Sequence, residues 1–296
     1  MDALIQHNVN AGLGDYTHTI YRYFYLVERL REMGYNKITL YINMTRSTMF
    51  NSDYFFVLYN RKEFELLFDD IIISNDKIIG DDYENVSFFY VNGNNETGIN
   101  QFDLFVDLQN EKHNELKNNL GNFFPENTLK KYRNLFSDYV MEKYREINKH
   151  KGEEYLSIHF RAKDGQDNID LYIDHEDEFK NIIFGDRKVF ICSNSYKFKE
   201  YIKSFNSSNV FMYEIPDEKE HGNHLSALQF TDEFGVDEYH EKTLHTAIDM
   251  LTLSQSIEIY SFNYFGNVFS NFLNLSKSKG VKINITALKN GMNWKP

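Results

Sequence analysis

Leu4-Ile5-Gln6-His7 leads into Asn10-Ala11-Gly12-Leu13-Gly14-Asp15, and from there Tyr16, Ile20, Tyr23, Phe24, Val27 and Leu30 recur at helical spacing. A short apolar run, a glycine-bearing turn and an amphipathic helix form one strand–turn–helix unit. Asp15 suits an N-cap and Gly34 a C′ stop. Lys37–Ile42 predicts the next strand, and a strand–helix–strand succession is the building block of a parallel sheet covered on both faces.

Working outward, strands are expected at Ile71–Ile73, Val86–Val91 and Phe102–Leu108, and a long helix over Thr128–Asn148. The second half repeats the theme. Strands at Glu154–Phe160, Lys188–Cys192, Val210–Tyr213, Ile257–Ser261 and Val281–Ile285 alternate with helices at Tyr196–Phe205, Glu241–Ser254 and Phe265–Leu275. The expected architecture is α/β, with two Rossmann-like domains facing a central cleft. Residues 1–125 and 151–296 are the halves, and 126–150 is the connecting helix. Asp174-His175-Glu176-Asp177-Glu178 and the stretch Asp217–His224 read as solvated loops or a lid.

Composition narrows the function classes. The 296 residues carry 32 basic and 44 acidic side chains, a net charge of −12, which argues against a general nucleic-acid binder. The 26 Phe and 21 Tyr supply a large core, so wholesale disorder is excluded. One cysteine, Cys192, rules out an intramolecular disulfide and a Cys-based zinc site, and its place in Val189-Phe190-Ile191-Cys192 reads as a buried small hydrophobe. No apolar run reaches the roughly 18 residues of a membrane span, and the N-terminus lacks a signal-type segment, so a cytoplasmic protein, bacterial or virus-encoded, is expected. His240 and His245 stand five apart, a spacing that does not put both on one helix face, so no metal site is expected there.

In parallel sheets ligands bind beyond the carboxyl ends of the strands. Three clusters fall there. In Ser157-Ile158-His159-Phe160-Arg161-Ala162-Lys163-Asp164, Ser157, His159 and Arg161 share one strand face, and Arg161 emerges at the end with a planar fork of donors suited to phosphate. An edge strand showing its polar side to water would read the same way. Gly12-Leu13-Gly14-Asp15 brings backbone amides to a helix start, where an anion is favoured; the third glycine of a dinucleotide fingerprint is absent, since position 17 is Thr, and an ordinary turn fits too. The third cluster runs from Asp249, on or near the polar flank of its helix, to Asn267. Its Ser261, Asn263, Gly266 and Asn267 could cradle a pyrophosphate or merely cap a helix.

These clusters, in this order, resemble the fucosyltransferase superfamily that holds the nodulation, core α1,6-, α1,2- and protein O-fucosyltransferases. The resemblance implies a GT-B-like fold and the use of GDP-fucose without a metal or other cofactor. Gly12-Leu13-Gly14-Asp15 matches the family's first glycine turn, and His159-Phe160-Arg161-Ala162-Lys163-Asp164 its His-x-Arg-Arg-x-Asp motif, with Ala162 replacing the second Arg. Cys192-Ser193-Asn194 stands where a Ser/Thr-Asp ends a strand, with Asn194 for Asp, and Asp249–Gln255 matches the helix that carries the last Asp.

By that resemblance Arg161 contacts the donor β-phosphate, and His159 and Asp249 read the guanine and ribose side. Gly12, Gly14, Ser193, Asn194, Ser261, Asn263, Gly266 and Asn267 complete the donor site. The implied reaction moves L-fucose from the nucleotide sugar to a glycan hydroxyl with inversion. Arg161, Asp164 and Asp15 are the catalytic candidates, and the base could be Asp15, Asp164, Asp167 or Asp170. Alternatives are another sugar nucleotide, such as a rhamnosyl or xylosyl donor, or a non-catalytic glycan- or nucleotide-binding protein of the same fold.

Overall fold

In the computed structural model the described residues are 2–9, 13–43, 54–74, 86–93, 102–106, 135–148, 153–162, 171–213, 236–264 and 270–288. The chain divides into two compact units, Met1–Met141 and Glu142–Pro296, and among the described residues each contains one five-stranded sheet.

In the first unit β1 (Asp2–Val9) leads to α1 (Leu13–Glu32) and then to β2 (Lys37–Asn43). β1 lies at the centre of the sheet, parallel to β2 on one side and to β4 (Val86–Gly93) on the other, while β3 (Asp70–Ser74) runs parallel beyond β2. Ile20, Phe24, Val27 and Leu30 of α1 are buried, as their spacing requires. The helix begins two residues before Asp15, which therefore sits in the first turn instead of capping it. Leu13 and Tyr16 are both buried, and this i, i+3 apolar pair carries the helix back through Gly14. Its other end is as read: Gly34 has φ +90°, Tyr35 N–H reaches Leu30 O and Gly34 N–H reaches Arg31 O, the paired bonds of a Schellman stop.

Not every strand of this sheet is parallel. β5 (Phe102–Val106) pairs antiparallel with β4. Only eight residues separate Gly93 from Phe102, too few for a crossover helix, so the chain must return as a hairpin. Between β2 and β3, the short helices α2 (Phe55–Leu58) and α3 (Arg61–Glu65) bring Phe55, Tyr59 and Phe64 together, and Tyr16 of α1 joins them. Of the helix expected over Thr128–Asn148, residues 128–134 lie outside the described residues, and α4 spans Asp138–Ile147. Before it, Leu135 O accepts Asn60 N–H and Ser137 N–H bonds Leu58 O, so the backbone is extended there, and Ser137 Oγ then caps Val140 N–H.

The second unit has strand order β10-β9-β6-β7-β8, all parallel. β6 (Tyr155–Arg161) is central, between β7 (Lys188–Ser193) and β9 (Glu258–Asn263); β8 (Val210–Phe211) and β10 (Lys282–Ala287) are the edges. This removes the edge-strand alternative for the His159–Arg161 segment. One sheet face buries Ile158, Phe160, Val189, Ile191 and Phe262 against Phe179 and Ile183 of α5 (Glu176–Ile183) and Phe198 and Ile202 of α6 (Tyr196–Lys203).

Several boundaries differ from expectation. The acidic stretch at 174–178 is helical, not loop: a 3₁₀ turn, Ile173–His175, opens α5, whose first turn holds Glu176, Asp177 and Glu178 where the helix dipole favours negative charge. α7 (Val236–Leu253) starts five residues earlier than expected. β9 runs two residues past Ser261, because Phe262 inserts into the core and Asn263 stays in the ladder. Of the helix expected at 265–275, residues 265–269 lie outside the described residues, and the rest is a 3₁₀ turn, Asn271–Leu273, followed by α8 (Asn274–Ser278). Asp217–His224 lies outside the described residues.

Candidate functional site

Alternation along the central strand of the second unit builds a polar face. Ser157, His159 and Arg161 point away from the apolar core. In register, His159 lies beside Cys192 of β7 and Ser261 of β9, and Arg161 beside Asn263. A row of Cys192, His159 and Ser261 thus crosses the sheet one step before its carboxyl end, and Arg161 and Asn263 form the next step. Arg161 is half-buried, whereas His159, Ser261 and Asn263 are buried.

His159 is fixed from two directions. Its Nδ1 is 2.9 Å from Ser261 Oγ, and its ring stacks on Phe272 at 5.9 Å between centroids. Burial, aided by the positive charge of Arg161, lowers its pKa from 6.5 to about 3. The imidazole is therefore neutral at ordinary pH and offers one donor and one acceptor. Deeper in the sheet Ser157 Oγ bonds Ser256 Oγ at 2.5 Å, which satisfies a hydroxyl with no solvent exposure.

α7 covers this polar face. Lys242, His245, Asp249 and Thr252 recur at intervals of three, four and three, one stripe of a helix. Asp249 lies on this polar stripe and is buried, 4% exposed; Cys192 Sγ donates to its Oδ2 at 3.8 Å. Thr252 Oγ1 donates to Tyr213 OH at 3.2 Å, and the Tyr213 hydroxyl is pushed up to about 12, chiefly by burial and further by the Asp249 charge. Burial lowers His245, against the opposing charge of Glu241 and with a smaller push from Lys199.

At the carboxyl end, neighbouring strands tie down the chain around Arg161. Tyr264 N–H donates to Arg161 O at 3.0 Å. Asn194 Oδ1 accepts Ala162 N–H at 2.9 Å, and Asn194 Nδ2 donates to Ala162 O at 3.2 Å. Ser193 faces the apolar side, and its Oγ accepts Ser195 N–H at 2.9 Å, so it shapes the turn into α6.

Of the residues singled out from sequence, the structure brings together His159, Arg161, Asn194, Asp249, Ser261 and Asn263 around the end of β6, with Ser193 in the same turn as Asn194. Gly14 and Asp15 belong to the first turn of α1, in the other unit, where backbone N–H groups lack intrahelical acceptors. Gly12, Asp164, Asp167, Asp170, Gly266 and Asn267 lie outside the described residues. Sequence reasoning missed Phe272, whose stacking on His159 follows from no spacing rule. It also missed the stripe of buried Lys242, half-buried His245, buried Asp249 and buried Thr252, which an α-helical period laid over the polar residues would have revealed. Among the described residues no group of three or more His, Cys, Asp or Glu could hold a metal ion, and no helix is long and apolar enough to cross a membrane.

Two Rossmann-like α/β units in tandem define a GT-B-like fold. Solved structures of NodZ α-1,6-fucosyltransferase have it. NodZ soaked with GDP-fucose superposes with a TM-score of 0.55 at 13% identity, over 98% of this chain and 97% of that one. NodZ co-crystallised with GDP gives 0.52 at 11%, over 98% and 96%. The selenomethionine form of the fucosyltransferase NodZ from Bradyrhizobium gives 0.53 at 12%, over 94% and 92%. No protein-family model matches the sequence, and no curated protein does.

Proposed function

We propose that the chain is a glycosyltransferase that moves L-fucose from GDP-fucose to a glycan hydroxyl, with inversion and without a metal ion. The observation that carries this reading is Arg161 at the carboxyl end of the central strand, beside Asn263 and one step beyond the His159–Ser261 pair, in a chain with the fold of a fucosyltransferase that has been soaked with GDP-fucose.

In this reading the second unit holds the donor and the first the acceptor. As the glycosidic bond breaks, charge grows on the departing diphosphate while the sugar gains oxocarbenium character. The Arg161 guanidinium takes two phosphate oxygens in a fork, and Asn263 at the end of β9, with Gly266 and Asn267 after it in sequence, supplies further donors. Each preorganised donor of this kind contributes about 3 kcal/mol. Neutral His159, held flat by Phe272 and oriented by Ser261, and the buried Asp249 read the guanosine end; a carboxylate accepts the adjacent N–H donors of a guanine edge. The base that takes the acceptor proton is drawn from Asp15, Asp164, Asp167 and Asp170.

Arg161→Ala tests the phosphate role. Sugar-nucleotide turnover should fall by at least a hundredfold, the scale of one lost oxyanion donor, and wild-type turnover would remove Arg161 from the mechanism. A thermal-shift panel of GDP-, UDP- and CDP-linked sugars and NAD tests the donor. A ligand at 100 times its Kd stabilises by about 2.7 kcal/mol. Stabilisation by the GDP sugar alone is expected. A response to UDP instead would move the assignment to another sugar donor, and binding without turnover of any donor–acceptor pair would make the chain a binding protein.

A further inference from the structure

The peptide that follows Arg161 is held in an unusual way. β6 and β7 run in register only as far as Phe160↔Ser193. One step later the ladder continues through a side chain: the Asn194 carboxamide accepts Ala162 N–H at 2.9 Å and donates to Ala162 O at 3.2 Å. Both backbone groups of one residue are thus satisfied by both ends of one amide. The backbone fixes the amide's orientation, since the reversed group would set N–H against N–H and oxygen against oxygen. On the opposite side Tyr264 N–H bonds Arg161 O at 3.0 Å. Arg161 therefore leaves the sheet from a backbone pinned from β7 and from the end of β9, and Ala162 is buried.

We propose that Asn194 is a positioning residue for Arg161: its carboxamide clamps the Ala162 peptide and so aims the guanidinium at the donor diphosphate. It does not touch the nucleotide. This inference rests on the phosphate role assigned to Arg161 above. Among short side chains the clamp needs an amide. Aspartate offers two acceptors, keeps the bond from Ala162 N–H and turns a negative oxygen toward Ala162 O. Alanine offers neither bond.

The test measures GDP affinity by calorimetry, and Tm, for the wild-type chain and for Asn194→Asp, Asn194→Ala, Arg161→Ala and the Asn194→Ala/Arg161→Ala double variant. With Arg161 present, both Asn194 variants should weaken GDP roughly tenfold, the scale of one buried hydrogen bond left unmade. In the Arg161→Ala background, Asn194→Ala should change GDP affinity less than about twofold, because the group it aims is gone. A merely structural role would lower Tm and weaken GDP by the same factor in both backgrounds, and that result overturns the proposal. So does unaltered GDP affinity in both Asn194 variants. Wild-type affinity in Asn194→Asp alone would reduce the clamp to its single accepted bond and refute the two-point form. If Asn194→Ala does not fold, the near-isosteric Asn194→Asp, paired with an Asn194→Asp/Arg161→Ala variant, runs the same comparison. Should Arg161→Ala itself bind GDP normally, the phosphate role is what has failed, and the clamp loses its function with it. A loss with Arg161→Ala but none with either Asn194 variant sinks the positioning role alone.

Discussion

His159 should make the stability of the second unit fall in mild acid, and replacing it by Asn should flatten that fall. The native imidazole, buried beside Arg161, takes a proton only near pH 3, whereas its ordinary value is 6.5. Below pH 6.5 the unfolded chain therefore binds a proton that the native chain refuses. Acid favours the unfolded side, so stability present above pH 6.5 is lost as the pH drops toward 3. Integrated from pH 8 to pH 5, this single group accounts for about 2 kcal/mol, a large part of a typical domain's net stability. The assay is urea unfolding followed by far-UV circular dichroism, at several pH values, for the wild-type chain and His159→Asn. His159→Asn loses the stacking on Phe272, so its absolute stability will be lower at every pH; only the slopes are compared. The buried His18 of α1, also lowered to about 3, gives the same acid loss in both proteins and cancels. Parallel slopes between pH 8 and pH 5 would refute the claim that His159 is buried neutral.

Phe198→Ala should cost about 3–5 kcal/mol in urea unfolding, because that ring is fully buried and stacks on Phe160 at 4.1 Å between centroids. Gly34→Ala should destabilise by about 1 kcal/mol through backbone strain at φ +90°, since nothing lies within 4 Å of the added methyl; an unchanged urea midpoint would contradict this. Ser195→Ala removes the cap that accepts Phe198 N–H at 2.9 Å and should lower stability by about 1 kcal/mol, with α6 amides exchanging hydrogen faster.

The sequence was most legible where period and burial agree. The α1 stripe and the alternation in β6 both identified the apolar faces, because a fixed geometric repeat converts directly into an apolar pattern. Legibility failed where long-range contact decides. Nothing local in Phe102–Val106 announces an antiparallel edge; the eight-residue connection does, and only once its partner strand is known. Leu135–Ser137 carries no strong turn signal and is drawn out of the helix by backbone bonds to Leu58 and Asn60, some 75 residues away. In the candidate site, strand alternation placed His159 and Arg161 on one face. The partners that hold them, Phe272 and the Asn194 clamp, come from distant segments and leave no mark in the spacing.

The contact between Cys192 and Asp249 gives the chain a built-in reporter. The only thiol among 296 residues lies under α7, shielded from any reagent in bulk water. Alkylation must wait until that helix lifts from β7. The rate at which an unmodified sample consumes one equivalent of iodoacetamide therefore clocks the breathing of the second unit, and any ligand that seals this face should slow the clock.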